Sequence, residues 1–540
     1  MLIQKSSEWK EEFARRLEAG GPWDRWPLYQ MAYEVEKDQL ITEFSGLQAP
    51  KFLTNLKLLD HQIDAAKTVI EKMNGKAILA DEVGLGKTIE AGLILKEYII
   101  RGLVKKALIL VPASLLTQWE DELNSKFFIP AIGCRKKNVP FEQYDFVVMS
   151  MDAAKRSPYR EKIYEQNYDM IIIDEAHKLK NHKTQAYEFV KGIKKKFCLL
   201  LTATPIQNNI FEIFYLVSLL KPGHLGNVES FQSSFKSLQD DENLKELVNQ
   251  VMIRNRRQDT GIEWVGRNVQ TIPIKFTTEE KEVYDMIQQL KERTTVFANS
   301  FAMTTILKEM CSSKEAAYLT LMKMKEKAIT KEEIDYIEEI VEKLANLEIN
   351  CKAEKTYEII QKANDKVIIF TEYRATQHYL QWYLHQKGIT SVLFNGKFSK
   401  NKRDWMRRLF QDVADVLIAT ESGGEGINLQ FCHHVINFDL PWNPMKIEQR
   451  IGRVHRLGQE CDVHIYNLAI QNTIEDRIID LLTNKIDVFE KVVGELDDIL
   501  TNREDEPIYK SPSFVPNKSP SFVPNFQFED FGMEDQLGFT

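Results

Sequence analysis

The chain has 540 residues, of which 43% are hydrophobic and 28% charged, and its 71 Lys and Arg against 79 Asp and Glu give a formal charge of -8. That length exceeds what one hydrophobic core serves, so two large domains with attachments are expected. No run reaches the roughly 18 apolar residues of a spanning helix, and the charged start MLIQKSSEWKEEFARR has no signal-peptide core, so membrane insertion and secretion are not indicated. Six cysteines (134, 198, 311, 351, 432 and 461) stand without a CxxC pair, which argues for a reducing compartment and against a disulfide framework. The net charge says nothing about nucleic acid by itself, because what matters is where the Lys and Arg residues lie.

Residues 1–50 form an amino-terminal extension with a Gly-Gly-Pro break and Trp9, Trp23 and Trp26, read as a segment packed by its aromatics or as a separate partner-binding element. LKLLDHQIDAAKTVIEKM follows as an amphipathic helix whose Gln62 either reads an adenine edge through its amide or is simply solvated. AILADEVGLGKTIEAGLIL, residues 77–95, then gives a buried strand, a glycine turn and a helix, the context of a phosphate-binding loop. Asp81, Glu82, Gly84, Leu85, Gly86, Lys87 and Thr88 are its candidate nucleotide-binding residues. The glycines let backbone N–H groups converge, Lys87 reaches the terminal phosphates, and the Thr88 hydroxyl suits Mg²⁺. Asp81 stands where the simplest form of the motif has glycine.

Strands and helices alternate onward through KALILVPASLLTQWEDEL, YDFVVMS, YDMIIIDEAHKLK and KKFCLLLTATPIQNN, which predicts a parallel α/β sheet with ligand loops at the carboxyl ends of its strands. Asp174 is the expected Mg²⁺ holder and Glu175 the residue that orients the attacking water, with a helix cap as the bland alternative. His177 and Thr202-Ala203-Thr204 are expected between the triphosphate and the other half of the molecule.

The strand rhythm lapses over 226–360, read as helical protrusions and an interlobe linker with a short strand pair near 269–276. Its basic knot, Arg254, Arg256 and Arg257, is read as phosphate contacts for nucleic acid or as a solvated helix end. Alternation resumes at 366 in a second parallel α/β domain without a phosphate loop, spanning about 361–500 with a docked terminal helix. It holds Lys402 and Arg403 on a basic helix, and Thr420, Ser422, Gly423, Gly424 and Gly426 at a strand end. In QRIGRVHRLGQ, Arg450, Arg453 and Arg456 recur every three residues and are expected on one helical face turned to the first domain's phosphates. The Pro- and Ser-rich tail 501–540, where KSPSFVPN is repeated, is expected to be disordered. Cys432, His434, Cys461 and His464 have zinc-like spacing, but filling of a domain edge is the better reading.

Gln62, GLGKT, PASLLTQW, DEAH, LTATPIQN, SGGEGINL and QRIGRVHRLGQ in this order resemble the motif set of superfamily-two helicase-like ATPases over about residues 50–495. The PIQNN and RxGQ endings resemble the Swi/Snf branch, and within it the bacterial RapA-like members, without the long amino-terminal polymerase-binding region of those proteins. The resemblance implies two RecA-like lobes with helical protrusions that close over ATP and Mg²⁺. It further implies translocation on double-stranded DNA, with Arg453 and Arg456 in the catalytic set, Gly426 at the nucleotide, and Arg254, Lys402, Arg403 and Ser422 at the DNA. A monomer in the bacterial cytoplasm, associated with the nucleoid and acting on RNA polymerase or another DNA-bound protein, is the expected setting. A strand-separating helicase, an RNA-dependent ATPase and a non-catalytic ATP-binding scaffold are the alternatives.

Overall fold

A computed structural model describes residues 13–16, 18–19, 30, 46–135, 140–203, 205–206, 210–229, 231–232, 241–293, 300–396, 398, 400–420, 428–492 and 499–500. The expectations for Trp9, Trp23, Trp26, Thr204, Ser422, Gly423, Gly424, Gly426 and the tail from 501 lie outside these residues.

The first sheet contains β1 (Lys76–Leu79), β2 (Ala107–Val111), β3 (Ala131–Cys134), β4 (Phe146–Ser150), β5 (Tyr168–Asp174), β6 (Lys195–Leu201) and β7 (Met252–Ile253). Their spatial order is β3-β4-β2-β5-β6-β1-β7, and every pairing is parallel. A parallel sheet covered by helices on both faces must be apolar at both strand parities. In β5, Ile171 and Ile173 accordingly join Phe189 and Phe214 on one face, while Met170 and Ile172 join Trp119 and Phe127 on the other. This layout brings the loops after β1, β2, β5 and β6, with GLGKT, PASLLTQW, DEAH and Thr202-Ala203, to one edge of the sheet.

The second sheet, also all parallel, runs β10 (Ser391–Phe394), β11 (Val416–Thr420), β9 (Val367–Thr371), β12 (His434–Asn437), β13 (Val463–Ile470) and β8 (Arg267–Ile274). Its edge differs from the sequence reading. In place of a strand pair inside a linker there is one strand, β8, matched to β13 from Arg267↔Val463 to Ile274↔Ile470. Only Ile274 of β8 is buried, so Gln270 and Thr271 give it the polar look of a linker.

The helices expected as protrusions also pack inward. Val283, Ile287, Ile306, Ile337 and Ile340 share one buried cluster with Val367, Ile369 and Ile418 of the second sheet. The terminal helix Ile474–Val492 places Ile478 and Leu482 on the second lobe, and its Phe489 joins the core of the first.

No described helix is long and apolar enough to cross a membrane. At the zinc-like spacing, His434 and His464 are register partners with rings stacked 5.0 Å apart, and the Cys432 thiol donates to the Lys366 carbonyl at 3.0 Å. Cys432 and His434 are thus buried where β12 begins, while Cys461 is exposed.

Candidate functional site

The phosphate loop is built on two left-handed glycines, Gly84 at φ 99° and Gly86 at φ 97°, and the Lys87–Ile100 helix starts directly after them. Lys87 Nζ donates to the carbonyls of Asp81 (2.6 Å) and Glu82 (3.2 Å), which curls the loop around its own cation. Burial pushes this ammonium below its usual range, and the carboxylates of Asp81, Glu175, Glu90 and Asp174 oppose that push.

The amide of Gln62 is engaged at both ends. Nε2 donates to the Leu85 carbonyl at 2.9 Å, and Oε1 accepts from the Leu59 N–H at 3.1 Å. Gln62 therefore braces the loop, and a methyl group on Gly86 would fall 2.6 Å from its Nε2.

Asp81, in the glycine position of the simpler motif, is fully buried and accepts from the Asn255 N–H (2.9 Å) and side-chain amide (3.1 and 3.0 Å). Glu82 accepts from the Arg257 N–H at 2.9 Å. Both acidic residues thus moor the loop to the segment after β7, and the carbonyls of Ile253 at the end of β7 and of Asn255 beyond it receive the N–H groups of Ala80 and Glu82. Behind the loop Asp81, Glu90 and His61 converge within 4.8 Å. Burial, then the Asp81 charge, raises the Glu90 carboxyl well above its ordinary range.

Across the same sheet edge, Asp174 ends β5 with Oδ2 accepting from Trp119 Nε1 at 2.8 Å and Oδ1 from the Glu175 N–H at 2.8 Å. Trp119 belongs to PASLLTQW, and its role in holding Asp174 has no spacing signature in the sequence. Glu175 sits at φ 52°, a left-handed conformation costing a non-glycine residue about 1 kcal/mol, and the pose aims its carboxylate at His177 Nδ1, 3.1 Å away. Burial favours the neutral acid, yet His177, Lys87 and Arg453 outweigh it and hold Glu175 at about 2. Asp174, raised by burial and then by Glu175, lies at about 6. A carboxylate raised in this way lacks a full cationic counter-charge, and its oxygens, like the Thr88 hydroxyl, are hard donors of the kind Mg²⁺ takes.

The two lobes meet on the loop. A Cβ on Gly84 would lie 3.5 Å from Arg456 Cγ and 3.6 Å from Arg456 Cα, and one on Gly452 would lie 2.3 Å from Val83 Cγ1. Arg456 is mostly buried, its guanidinium lowered to about 10 by that burial and by Arg453, and its Nε donates to the Gly452 carbonyl at 2.5 Å. Arg453 acts on Glu175 from the second lobe.

The arginine triplet does not share one helical face. The Pro444–Ile451 helix ends before Arg453, and Arg450 is a buried core residue donating to Asn437 Oδ1 (3.0 Å) and the Asp439 carbonyl (2.8 Å). Among the nucleic-acid candidates, Arg254 is not offered to a phosphate. Its side chain is 6% exposed, 3.8 Å from Glu82, with Cζ 4.8 Å above the Phe489 ring. Arg256 pairs with Asp259 at 2.7 Å, and Arg257 is buried. Lys402 is exposed beside the Phe398 ring, whereas Arg403 donates to the carbonyls of Phe398 (3.2 Å) and Gly396 (2.9 Å).

The sequence matches the SNF2-related domain over residues 61–334 and the helicase conserved C-terminal domain over 351–458. It is 59% identical over 502 residues to an uncharacterized ATP-dependent helicase of Bacillus subtilis, YqhH, covering 92% of this chain and 90% of that protein. The RNA polymerase-associated protein RapA of Actinobacillus pleuropneumoniae is 28% identical, and the match covers 84% of this chain but 52% of RapA. Among solved structures, the Hef helicase domain of Pyrococcus furiosus is alike in fold, at 18% identity and TM-score 0.51 over 80% of this chain and 99% of that one.

Proposed function

We propose, for a chain that belongs to the SNF2-related family of helicase-like ATPases, that ATP is hydrolysed at the seam between its two RecA-like lobes and that the cycle drives translocation along double-stranded DNA. The observation that carries this reading is the seam: Arg456 of the second lobe lies against Gly84 of the phosphate loop, and Gly452 lies against Val83.

In this reading Lys87 exchanges the Asp81 and Glu82 carbonyls for the terminal phosphates of ATP. Thr88 and Asp174 hold Mg²⁺, which when bound neutralises phosphate charge. Glu175, kept ionised by its cationic neighbours, accepts a hydrogen bond from the attacking water and orients it. Arg453 and Arg456 supply charge where the transferring phosphoryl group develops it, so only the closed molecule has a complete site. A non-catalytic scaffold would not require this joint construction.

Duplex DNA is the proposed activator, lying across both lobes and shifting the population toward closure, with Lys402 and Ser422 among its contacts. Remodelling of a DNA-bound protein such as RNA polymerase is the proposed outcome, prompted by the likeness to RapA. The setting we propose is the bacterial cytoplasm, at the nucleoid, with the chain acting as a monomer.

The test is ATPase rate against the concentration of duplex DNA, single-stranded DNA and RNA at one salt concentration, for the wild type, Arg453→Ala and Arg456→Ala. Duplex DNA is expected to stimulate most, and Arg456→Ala to lower stimulated turnover by on the order of 10³ with ATP affinity within a few fold. Near-normal stimulation in both variants would refute the joint site, and stronger stimulation by RNA would indicate an RNA-dependent enzyme.

A further inference from the structure

Arg257 belongs to the basic knot whose obvious reading is contact with nucleic-acid phosphates, yet it is only 2% exposed and lies where three segments meet. Its Nη2 donates to the Val83 carbonyl of the phosphate loop at 2.6 Å and to Glu448 Oε1 of the second lobe at 3.1 Å. Its main-chain N–H donates to Glu82 Oε2 at 2.9 Å, its Nη1 stands 3.7 Å from the same oxygen, and its Cζ lies 5.5 Å from the Trp264 ring centroid. Glu448 has a second guanidinium partner, Arg267 Nη2 at 2.7 Å.

The contacts continue toward the seam. The carbonyl of Glu448 accepts from the Gly452 N–H at 2.8 Å, the Gly452 carbonyl accepts from Arg456 Nε at 2.5 Å, and the face of Gly452 is pressed on Val83. Val83, Arg257, Glu448 and Gly452 therefore close a ring, and Arg456 hangs from its last member. From this geometry we infer that Arg257 is a positioning residue for hydrolysis. It locks the phosphate loop to the helix that delivers Arg453 and Arg456, so that lobe closure and arrival of the arginines become one event. It touches none of the reacting atoms and acts through Glu448 and the Val83 carbonyl. Two acceptors on different lobes, met by one terminal nitrogen beneath a ring, require the planar fork of a guanidinium; an ammonium on a flexible stem cannot hold them in the same directions.

This inference rests on hydrolysis at the lobe seam, and the experiment separates the two. Steady-state kcat and KM, equilibrium ATP binding and thermal melting are measured on the full chain, with duplex DNA present, for the wild type, Arg257→Lys, Glu448→Gln, Arg257→Lys/Glu448→Gln and, as control, Arg456→Ala. Arg257→Lys is expected to lower kcat by about 10- to 100-fold, with ATP affinity within about twofold and a melting temperature close to wild type. The double variant is expected to be no slower than the slower single variant, because both lesions break one link.

Wild-type kcat in Arg257→Lys, an equal loss of ATP affinity and kcat, or multiplicative effects in the double variant would each overturn the inference. If Arg456→Ala is inactive while Arg257→Lys turns over normally, the seam stands and only the role of Arg257 falls. If Arg456→Ala turns over as the wild type does, the shared site itself falls. Should Arg257→Lys fail to fold, Glu448→Gln alone still decides, since the lock requires its kcat to fall while ATP affinity holds.

Discussion

Replacing Gly452 with Ala should act on the closed molecule alone. The backbone there has φ -63°, a value open to any residue, so it is the neighbour and not the conformation that excludes a side chain. The added methyl would sit 2.3 Å from Val83 Cγ1, 3.0 Å from Val83 Cβ and 3.3 Å from the Glu448 carbonyl. Val83 is β-branched and has little rotamer freedom with which to retreat, so the lobes must part. Overpacking of this kind costs about 1–3 kcal/mol, which reduces the closed population by about 5- to 150-fold.

Turnover of Gly452→Ala should fall within that range while ATP still binds the exposed phosphate loop with near-normal affinity. Val83→Ala removes the clashing atom, so Val83→Ala/Gly452→Ala should recover most of the lost rate. The assay is steady-state ATPase with and without duplex DNA, alongside equilibrium nucleotide binding, on the two single variants and the double. Full activity in Gly452→Ala, or a double variant as slow as Gly452→Ala, would show that closure of Val83 on Gly452 is not on the reaction path.

Lys87→Ala should abolish turnover, whereas Glu175→Gln should bind ATP and fail to hydrolyse it; robust single-turnover hydrolysis by Glu175→Gln would remove this residue as the water-orienting group. Trp119→Phe keeps the ring and loses the 2.8 Å hydrogen bond to Asp174. Hydrogen bonds to charged groups are worth about 1.5–3 kcal/mol, so about a tenfold or greater rise in the half-saturating Mg²⁺ concentration is expected, and an unchanged Mg²⁺ curve would refute the orienting role of the indole. For Glu448, burial raises the carboxyl but Arg267 and Arg257 win and hold it at about 2, below the ordinary 4.5. The stability this contributes, about 3 kcal/mol, is present above pH 4.5 and is lost as pH falls toward 2. Urea unfolding should therefore show the gap between wild type and Glu448→Gln narrowing below about pH 4.5, and a constant gap would contradict it.

The parallel strands with apolar residues at both parities, such as ALILV of β2 and VIIFT of β9, were legible because burial on both faces leaves no other pattern. So were the placement of Lys87 at a helix start after a glycine turn and that of Asp174 and Glu175 at a strand end. The second-lobe arginines were legible only as a charge pattern. Spacing of three suggested one face, but the helix stops at Ile451, and the same spacing puts Arg450 in the core and Arg456 on the loop. Arg254 and Arg257 misled for a related reason. Clustered cations read as a phosphate surface, and nothing local announces that Glu82 and Glu448, from distant stretches of chain, will converge on them. Strand β8 was obscured because an edge strand with one buried residue carries almost no hydrophobic period.

That edge strand also sets an order of events during synthesis. The last strand of the first sheet, β7, ends at Ile253, so all seven of its strands have been made before β8 begins at Arg267. The second sheet has the opposite arrangement, since β8 is its first strand to be made and β13, its partner, is the last. While the intervening 188 residues are translated, the row of N–H and C=O groups on β8 lacks its native partner. Such an edge is a template for wrong partners, and non-local parallel pairing is slow to form. A nascent chain stalled anywhere between Ile274 and Val463 would therefore hold a first sheet with all its strands and a second whose seam is open, and aggregation of the unfinished protein should begin at β8.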